Sequence, residues 1–188
     1  MRQEKEIKDY ILVLNNVMPP PVVDAVLSEY KNCDDWIAAV TAAGKSDAER
    51  QCFTIGISFD SIIKKNLEIR QKIDGMLFSV ASQAIKEYAR HFNHVEIKED
   101  SGYNLLKYEI GQFYTTHTDS FKDGPRAVSC SFILNDDYEG GEFAFFDREL
   151  VYNLKKGSCI MFPSNFMYPH EIMPVTSGTR YSIVTWFV

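Results

Sequence analysis

Apolar residues recur at intervals of three and four along residues 61–92, and this spacing predicts one long amphipathic helix. The repeating positions are Ile69, Ile73, Leu77, Val80, Ala84 and Tyr88. A shorter helix is predicted over residues 20–31, because prolines are tolerated in a first helical turn. We expect the stripe on the long helix to face a hydrophobic core.

Extended segments surround these helices in the first half of the chain. A strand-like run at residues 10–14 precedes the shorter helix. Residues 42–50 have the composition of a loop, and they lead into a strand or extended loop at residues 52–59. The first hundred residues therefore predict helical support and one mobile loop.

Beyond residue 101 the pattern changes to short runs of β-branched and aromatic residues, separated by Gly, Asp, Asn and Pro. The predicted strands are residues 103–109, 113–118, 126–134, 142–146, 149–154, 158–162, 170–175 and 179–188. Such spacing predicts an antiparallel sandwich or barrel, with the long helix supporting one sheet. The fold class is α+β, mainly β.

Composition narrows the class of protein further. A chain of 188 residues predicts a single domain, with residues 101–188 as its β core. The net charge of -6 disfavours nucleic acid as a partner. No apolar run approaches the ~20 residues of a membrane span, and residues 1–8 are charged where a signal peptide would be apolar. We expect a cytoplasmic protein whose scattered cysteines are reduced packing residues.

Four residues of the β half suggest a metal centre. His117 and Asp119 are two apart in a predicted strand, so their side chains emerge on the same face. An HxD pair alone is weak, because loop aspartates commonly cap turns. His170 begins another predicted strand, and Arg180 follows on the next one after the turn at Ser177-Gly178. We expect this hairpin to bring His170 and Arg180 together.

Two imidazoles and one carboxylate form a ligand set that leaves three metal positions open, as Fe(II) enzymes that activate oxygen require. The planar fork of Arg180 suits the distal carboxylate of a co-substrate that chelates the metal. Ser182 shares the strand face of Arg180 and can add a hydrogen bond. Tyr181, Trp186 and Phe187 are interpreted as packing residues, as are Phe145, Phe146 and Phe166.

Three stretches carry a family resemblance. Residues 108–119 read YEIGQFYTTHTD, residues 140–143 read GGEF, and residues 178–187 read GTRYSIVTWF. Together with Pro163-Ser164, His170 and Pro174, they resemble the prolyl 4-hydroxylase-type Fe(II)- and 2-oxoglutarate-dependent dioxygenases. The resemblance covers residues 100–188, and the first hundred residues match only in kind.

The resemblance implies a fold, cofactors and residue roles. The fold is a double-stranded β-helix of the jelly-roll or cupin-like type with supporting N-terminal helices. The cofactors are non-haem Fe(II) held by His117, Asp119 and His170, 2-oxoglutarate as co-substrate, O2, and L-ascorbate. Tyr108 becomes a hydrogen-bond donor to 2-oxoglutarate and Arg180 its salt-bridge partner. Many animal and plant prolyl 4-hydroxylases carry lysine at the anchoring position, so Arg180 is more similar to the oxygen-sensing and bacterial branches.

The implied reaction is hydroxylation of proline in a peptide or protein, with succinate and CO2 as co-products. Residues 42–50 and 120–126 are expected to flank a substrate groove, with Arg148 at its rim. The same chemistry on a free amino acid or other small molecule is one alternative, because loop variation changes substrates on a shared scaffold. A non-catalytic jelly-roll binding module is the other.

Overall fold

A computed structural model describes residues 5–41, 44, 47–58, 66–120 and 124–188. Within these ranges a 3-10 turn covers Ile7–Tyr10, and two α-helices follow, α1 (Pro20–Tyr30) and α2 (Leu67–His91). The helix predicted to begin at residue 61 has its first five positions outside the described ranges. The predicted substrate loops, residues 42–50 and 120–126, also lie partly outside them.

The core-facing stripe of α2 is confirmed except at its start. Its members from Ile73 to Tyr88 are buried, but Ile69 is 52% exposed. Arg70 is buried instead, and its Nε donates to Glu29 Oε1 on α1 at 2.9 Å. The first turn of α2 therefore faces the carboxylates beside α1, and the apolar stripe begins one turn later. No helix in the described ranges combines the length and apolarity needed to cross a membrane.

The strands form two main antiparallel sheets. In chain order they are β1 (Leu12–Leu14), β2 (Ile37–Ala38), β3 (Arg50–Gln51), β4 (Phe53–Gly56), β5 (Asn104–Tyr108), β6 (Phe113–His117), β7 (Val128–Ile133), β8 (Glu139–Gly140), β9 (Phe143–Phe145), β10 (Leu150–Tyr152), β11 (Cys159–Pro163), β12 (His170–Ile172), β13 (Val175–Ser177) and β14 (Arg180–Phe187). The large sheet has the order β1-β11-β7-β14-β5-β4-β2, the small sheet β10-β9-β12-β6-β3, and β13 pairs with β8.

The eight strands predicted beyond residue 101 are present, with two differences. The run at residues 170–175 divides into β12, which joins the small sheet, and β13, which leaves it to pair with β8. Pro174 lies at the division, where a residue without a backbone N–H cannot continue a ladder. The second difference is the short strand β8, which was not predicted. In the first hundred residues, β1 and β4 confirm the strands predicted at residues 10–14 and 52–59, whereas β2 and β3 were not predicted.

The large sheet is buried on both faces, and this divides its side chains into two cores. One core packs α1 and α2 against one face, which includes Tyr181, Ile183 and Phe187 of β14. The other core lies between the two sheets and includes Phe162 from the large sheet and Phe145 from the small one. The alternate residues of β14 point toward this second core, which positions them for the site described below.

Candidate active site

Three potential metal ligands meet between the sheets. His117 ends β6, His170 begins β12, and the two are paired across these neighbouring strands. Asp119 follows two residues after the end of β6. One donor atom from each of the three side chains lies within 4.8 Å of the others. His117 Nε2 is 3.9 Å from Asp119 Oδ1, and His170 Nε2 is 3.7 Å from Asp119 Oδ2.

The backbone fixes which nitrogen of each imidazole faces the centre. His117 Nδ1 lies 2.8 Å from the carbonyl oxygen of Thr115, and His170 Nδ1 lies 3.0 Å from that of Tyr168. A carbonyl can only accept, so each Nδ1 carries the proton and donates. Both Nε2 atoms are therefore left with lone pairs directed at a shared point, which is the tautomer that a metal ligand needs.

Asp119 is held from behind by buried hydroxyls. Ser129 Oγ on β7 donates to Asp119 Oδ2 at 2.7 Å, and Ser164 Oγ lies 2.8 Å from Ser129 Oγ. Because the Ser129 proton points at the carboxylate, Ser164 is the donor in the second bond. The Trp186 side chain lies close enough to help lower the pKa of Asp119. The serine hydrogen bonds fix the carboxylate after the strand has ended.

The electrostatics favour the protonation states of metal ligands. Burial and the neighbouring His170 lower the pKa of His117 to about 3, and burial lowers the pKa of His170 as well. Burial alone would raise the pKa of Asp119, but the two imidazoles and its hydrogen bonds outweigh it, so that the pKa lies below its usual value. Near neutral pH the cluster is two neutral imidazoles and one carboxylate, ready for a cation.

Aromatic rings flank both histidines. The Tyr114 ring stacks on His117 with centroids 3.5 Å apart. The Arg50 guanidinium lies over the Tyr114 ring, 4.6 Å from its centroid. His170 packs against Phe143 and Phe162. These contacts restrict both imidazoles to one orientation, so the ligand geometry is set before any metal binds.

The triad opens into a cavity of about 260 Å³, and the large sheet forms its floor. Register across β5, β14 and β7 arranges the floor in four rows. The rows are Arg180 with Tyr108, Ser182 with Leu106 and Ile133, Val184 with Ser131, and Trp186 with Ser129. Ser129 in the last row bonds Asp119, so the metal ligands lie at one end and Arg180 at the other.

The Arg180 end is built for an anion. Arg180 is 2% exposed, and one of its terminal nitrogens donates to Ser182 Oγ at 2.8 Å. Its Nε has no hydrogen-bond partner among the described residues. Burial raises the pKa of Tyr108, whose ring lies 5.4 Å from the guanidinium, so the phenol stays protonated and can donate. A buried guanidinium with an unused donor is costly unless a carboxylate completes the site.

A glycine makes room for this arginine. Gly141 has φ +65°, and a Cβ there would come within 3.0 Å of Arg180 Cδ. Any other residue would therefore be strained in its backbone and would press on the arginine stem. The glycine in the GGEF stretch before β9 thus leaves the space that the Arg180 stem occupies at the anion end of the cavity.

These observations fit the cofactors predicted from the sequence. Two neutral imidazoles and a carboxylate suit Fe(II) and leave room for further ligands. The described cavity lining holds three arginines, Arg50, Arg126 and Arg180, against a single carboxylate, Asp119. A dianionic dicarboxylate that reaches from Arg180 toward the metal ligands matches both the charge and the two ends of the cavity.

All six residues predicted for the site line this one cavity: Tyr108, His117, Asp119, His170, Arg180 and Ser182. The predicted means of bringing His170 and Arg180 together was wrong. They belong to β12 and β14, which lie in different sheets, so they meet across the cavity and not in a hairpin. Tyr181 is a packing residue, as predicted, and it lies on the helix-side face of the large sheet. Its ring lies near Trp36.

Other predictions for the surroundings of the site had mixed outcomes. Trp186 was interpreted as a packing residue, but it lines the cavity and helps to lower the pKa of Asp119. Phe145 is buried as predicted, whereas Phe166 is 77% exposed and packs on little. The Arg148 side chain forms an ion pair with Glu171 at 2.6 Å. It is absent from the described lining of the cavity.

Sequence comparison shows which known proteins the chain is similar to. Residues 103–188 match the 2OG-Fe(II) oxygenase superfamily. A PKHD-type hydroxylase of Idiomarina loihiensis is 29% identical over 133 residues, covering 65% of this chain and 60% of the relative. The chain thus matches less than two thirds of the length of that relative.

Solved structures agree on the fold. A prolyl-4-hydroxylase of Pseudomonas putida superposes with a TM-score of 0.70 at 20% identity, covering 94% of this chain and 91% of that one. A prolyl hydroxylase of Trichoplax adhaerens, solved with a peptide fragment of hypoxia inducible factor, gives 0.75 at 19% identity, covering 94% and 82%. The predicted double-stranded β-helix is confirmed.

Residues 103–188 are thus similar in sequence to 2OG-Fe(II) oxygenases, and the fold of the chain is that of solved members of this class. In sequence the chain is similar to PKHD-type hydroxylases, and in fold it is similar to prolyl hydroxylases. The superfamily depends on Fe(II), 2-oxoglutarate and O2, which is the cofactor set that the family resemblance implied.

Proposed function

We propose that this protein is an Fe(II)- and 2-oxoglutarate-dependent dioxygenase that hydroxylates proline in a peptide or protein. The observation that carries the proposal is the cavity itself, with a partly buried His-Asp-His cluster at one end and a buried arginine with an unused donor at the other. A single ligand that binds both ends accounts for the presence of the two features in one cavity. A keto dicarboxylate that chelates a metal is such a ligand.

Each residue has a task in this proposal. His117 Nε2, His170 Nε2 and a carboxylate oxygen of Asp119 hold the metal. Arg180 binds the distal carboxylate with its planar fork, and Ser182 and Tyr108 supply further donors. When bound, Fe(II) and 2-oxoglutarate supply the O2 activation that hydroxylates an unactivated C–H bond, and succinate and CO2 are the co-products. The apolar walls formed by Phe143, Phe162 and Ile172 exclude water from this reaction.

The size of the cavity supports a peptide substrate. Pockets that enclose a whole ligand are commonly about 300–1,000 Å³, and this one is about 260 Å³ before any co-substrate enters. Little more than one small ring fits beside 2-oxoglutarate. The rest of the substrate would therefore lie outside, across the mouth formed by residues such as Val40, Ser120 and Arg126.

The proposal includes the cellular compartment of the enzyme, which is the cytoplasm. The cysteines at positions 33, 52, 130 and 159 are free thiols, in keeping with the reducing cytoplasm expected from the sequence. Ascorbate remains a prediction from the family resemblance.

The test is turnover by the purified chain with Fe(II), 2-oxoglutarate and a set of proline-containing peptides. We expect succinate to form and a peptide to gain one oxygen atom by mass spectrometry. His170→Ala removes a ligand and should abolish both signals, whereas His91→Ala, on the exposed end of α2, should abolish neither. Succinate without any oxygenated peptide would favour a small-molecule substrate. Absence of both metal-dependent 2-oxoglutarate binding and succinate would favour the binding module.

A further inference from the structure

Two hydroxyls are buried without a hydrogen-bond partner among the described residues, Ser131 Oγ and Thr185 Oγ1. The two residues are 3% and 0% exposed, and they lie on the neighbouring strands β7 and β14. Leaving a buried hydroxyl unpaired costs free energy, so such groups are uncommon in folded proteins. A group of this kind is informative when it points at a place where a ligand can supply the missing partner.

The two hydroxyls point to opposite faces of the large sheet. Ser131 is paired in register with Val184, and both line the cavity. Thr185 is the next residue along β14, so its side chain points to the other face, where its register partner Cys130 packs in the helix-side core. Only the Ser131 hydroxyl can therefore meet a molecule in the cavity, and Thr185 serves as an internal comparison.

The position of Ser131 along the floor is specific. Its row lies between the Ser182 row, where the Arg180 guanidinium is bonded, and the Ser129–Trp186 row, which holds Asp119. A ligand that joins the two ends of the cavity must pass over the Ser131 row. The neighbouring residue in that row, Val184, offers no polar group.

The chemistry of 2-oxoglutarate limits what this hydroxyl can bind. With its distal carboxylate on Arg180, the next two carbons are methylenes, which accept no hydrogen bond. The remaining acceptors are the keto oxygen and the 1-carboxylate. We infer that Ser131 is a further binding residue for the co-substrate, and that its hydroxyl donates to an oxygen of the keto-acid end. The inference rests on the proposed function and adds a contact to it.

The test is equilibrium binding, which needs no turnover. The full chain is loaded with Zn(II), which has no redox chemistry, and 2-oxoglutarate is titrated calorimetrically. Ser131→Ala should raise the Kd roughly tenfold or more, since hydrogen bonds to charged groups are among the stronger ones. Ser131→Cys nearly conserves volume but offers a weak donor, so its Kd should rise as well. Thr185→Val should leave the Kd unchanged.

Each outcome has a separate meaning. Circular dichroism and thermal unfolding without ligand verify that the variants fold, and removal of an unpaired hydroxyl should not lower the melting temperature. A Ser131→Ala protein that binds 2-oxoglutarate as tightly as wild type would overturn the inference and leave the proposed function intact. Wild-type protein that binds Zn(II) but not 2-oxoglutarate would instead overturn the proposed function, and this inference with it.

Discussion

The two ends of the cavity are held by the chain in different ways. The metal-ligand end lies where strands stop, since His117 ends β6, Asp119 follows it, and His170 begins β12. The anion end lies inside the large sheet, where Arg180 on β14 pairs with Tyr108 on β5 and the helices pack behind. At the metal-ligand end, local hydrogen bonds fix the position of each side chain. At the anion end, the pairing of strands in the large sheet fixes the position of Arg180.

This difference predicts different consequences for mutation at each end. Ligand changes at the strand ends should abolish metal binding with little effect on folding. Loss of the arginine at the anion end should weaken co-substrate binding and leave the ligand-free protein at least as stable as wild type. The following substitutions test the comparison, beginning with the largest expected effect.

His117→Ala should reduce metal affinity by more than the ~10- to 100-fold that is typical for loss of a residue behind a ligand. It removes one of three donors, and no other described donor lies within the cluster. Metal content after equilibrium dialysis measures the loss, and thermal unfolding of the metal-free protein should show only a small change. His91→Ala is the matched control. Retention of full metal binding would remove His117 from the ligand set.

Arg180→Met should weaken 2-oxoglutarate binding by about 3 kcal/mol, roughly 100-fold, because it removes a charge-assisted bidentate contact. Metal affinity should not change. The ligand-free protein should be as stable as wild type or more so, since a buried charge with an unused donor is replaced by an apolar side chain. Calorimetry and thermal unfolding measure these quantities, with Arg90→Met on the exposed face of α2 as control. Marked destabilisation would show that the arginine mainly supports the sheet.

Ser129→Ala should lower metal affinity about tenfold, because Asp119 loses the bond that orients its carboxylate. In protein saturated with metal, the affinity for 2-oxoglutarate should be close to that of wild type. Ser164→Ala removes the hydroxyl that bonds Ser129, and it should have a smaller effect in the same direction. If Ser164→Ala lowered metal affinity more than Ser129→Ala, Ser164 would not act on Asp119 through Ser129.

Arg50→Met should have the smallest effect, a fewfold loss of metal affinity. Its guanidinium holds Tyr114 against His117, and a cation over an aromatic ring contributes about 0.5–1 kcal/mol at a partly exposed site. Arg50→Lys retains a cation and should recover part of the loss. Equal metal affinity in wild type and Arg50→Met would show that Tyr114 needs no support from β3.

The sequence predicted the residues expected to bind metal or co-substrate better than the residues that hold them in position. His117, Asp119, His170 and Arg180 stood out because few roles require those residue types at that spacing, and Ser182 followed from strand alternation. Trp186 obeys the same alternation, but aromatic residues in strands usually pack. Ser129 gave no periodic signal because β7 is buried on both faces.

Contacts between distant strands lay beyond the local pattern. The two-residue strand containing Arg50 is too short to show alternation, so its place beside Tyr114 was not predicted. The division of residues 170–175 between two pairings depends on which strands lie next to β12 and β13. The sequence therefore predicted the fold class and the residues of the cavity, but not how the two sheets bring them together.

The main-chain oxygens of Thr115 and Tyr168 have a consequence for how the site can vary. Each accepts the proton of the imidazole two positions later in the chain. Every residue type carries such an oxygen, so substitutions at 115 and 168 that keep the local backbone course leave the orientation of both rings unchanged. The residue types at 115 and 168 can thus change during evolution while the coordinating nitrogens keep their orientation.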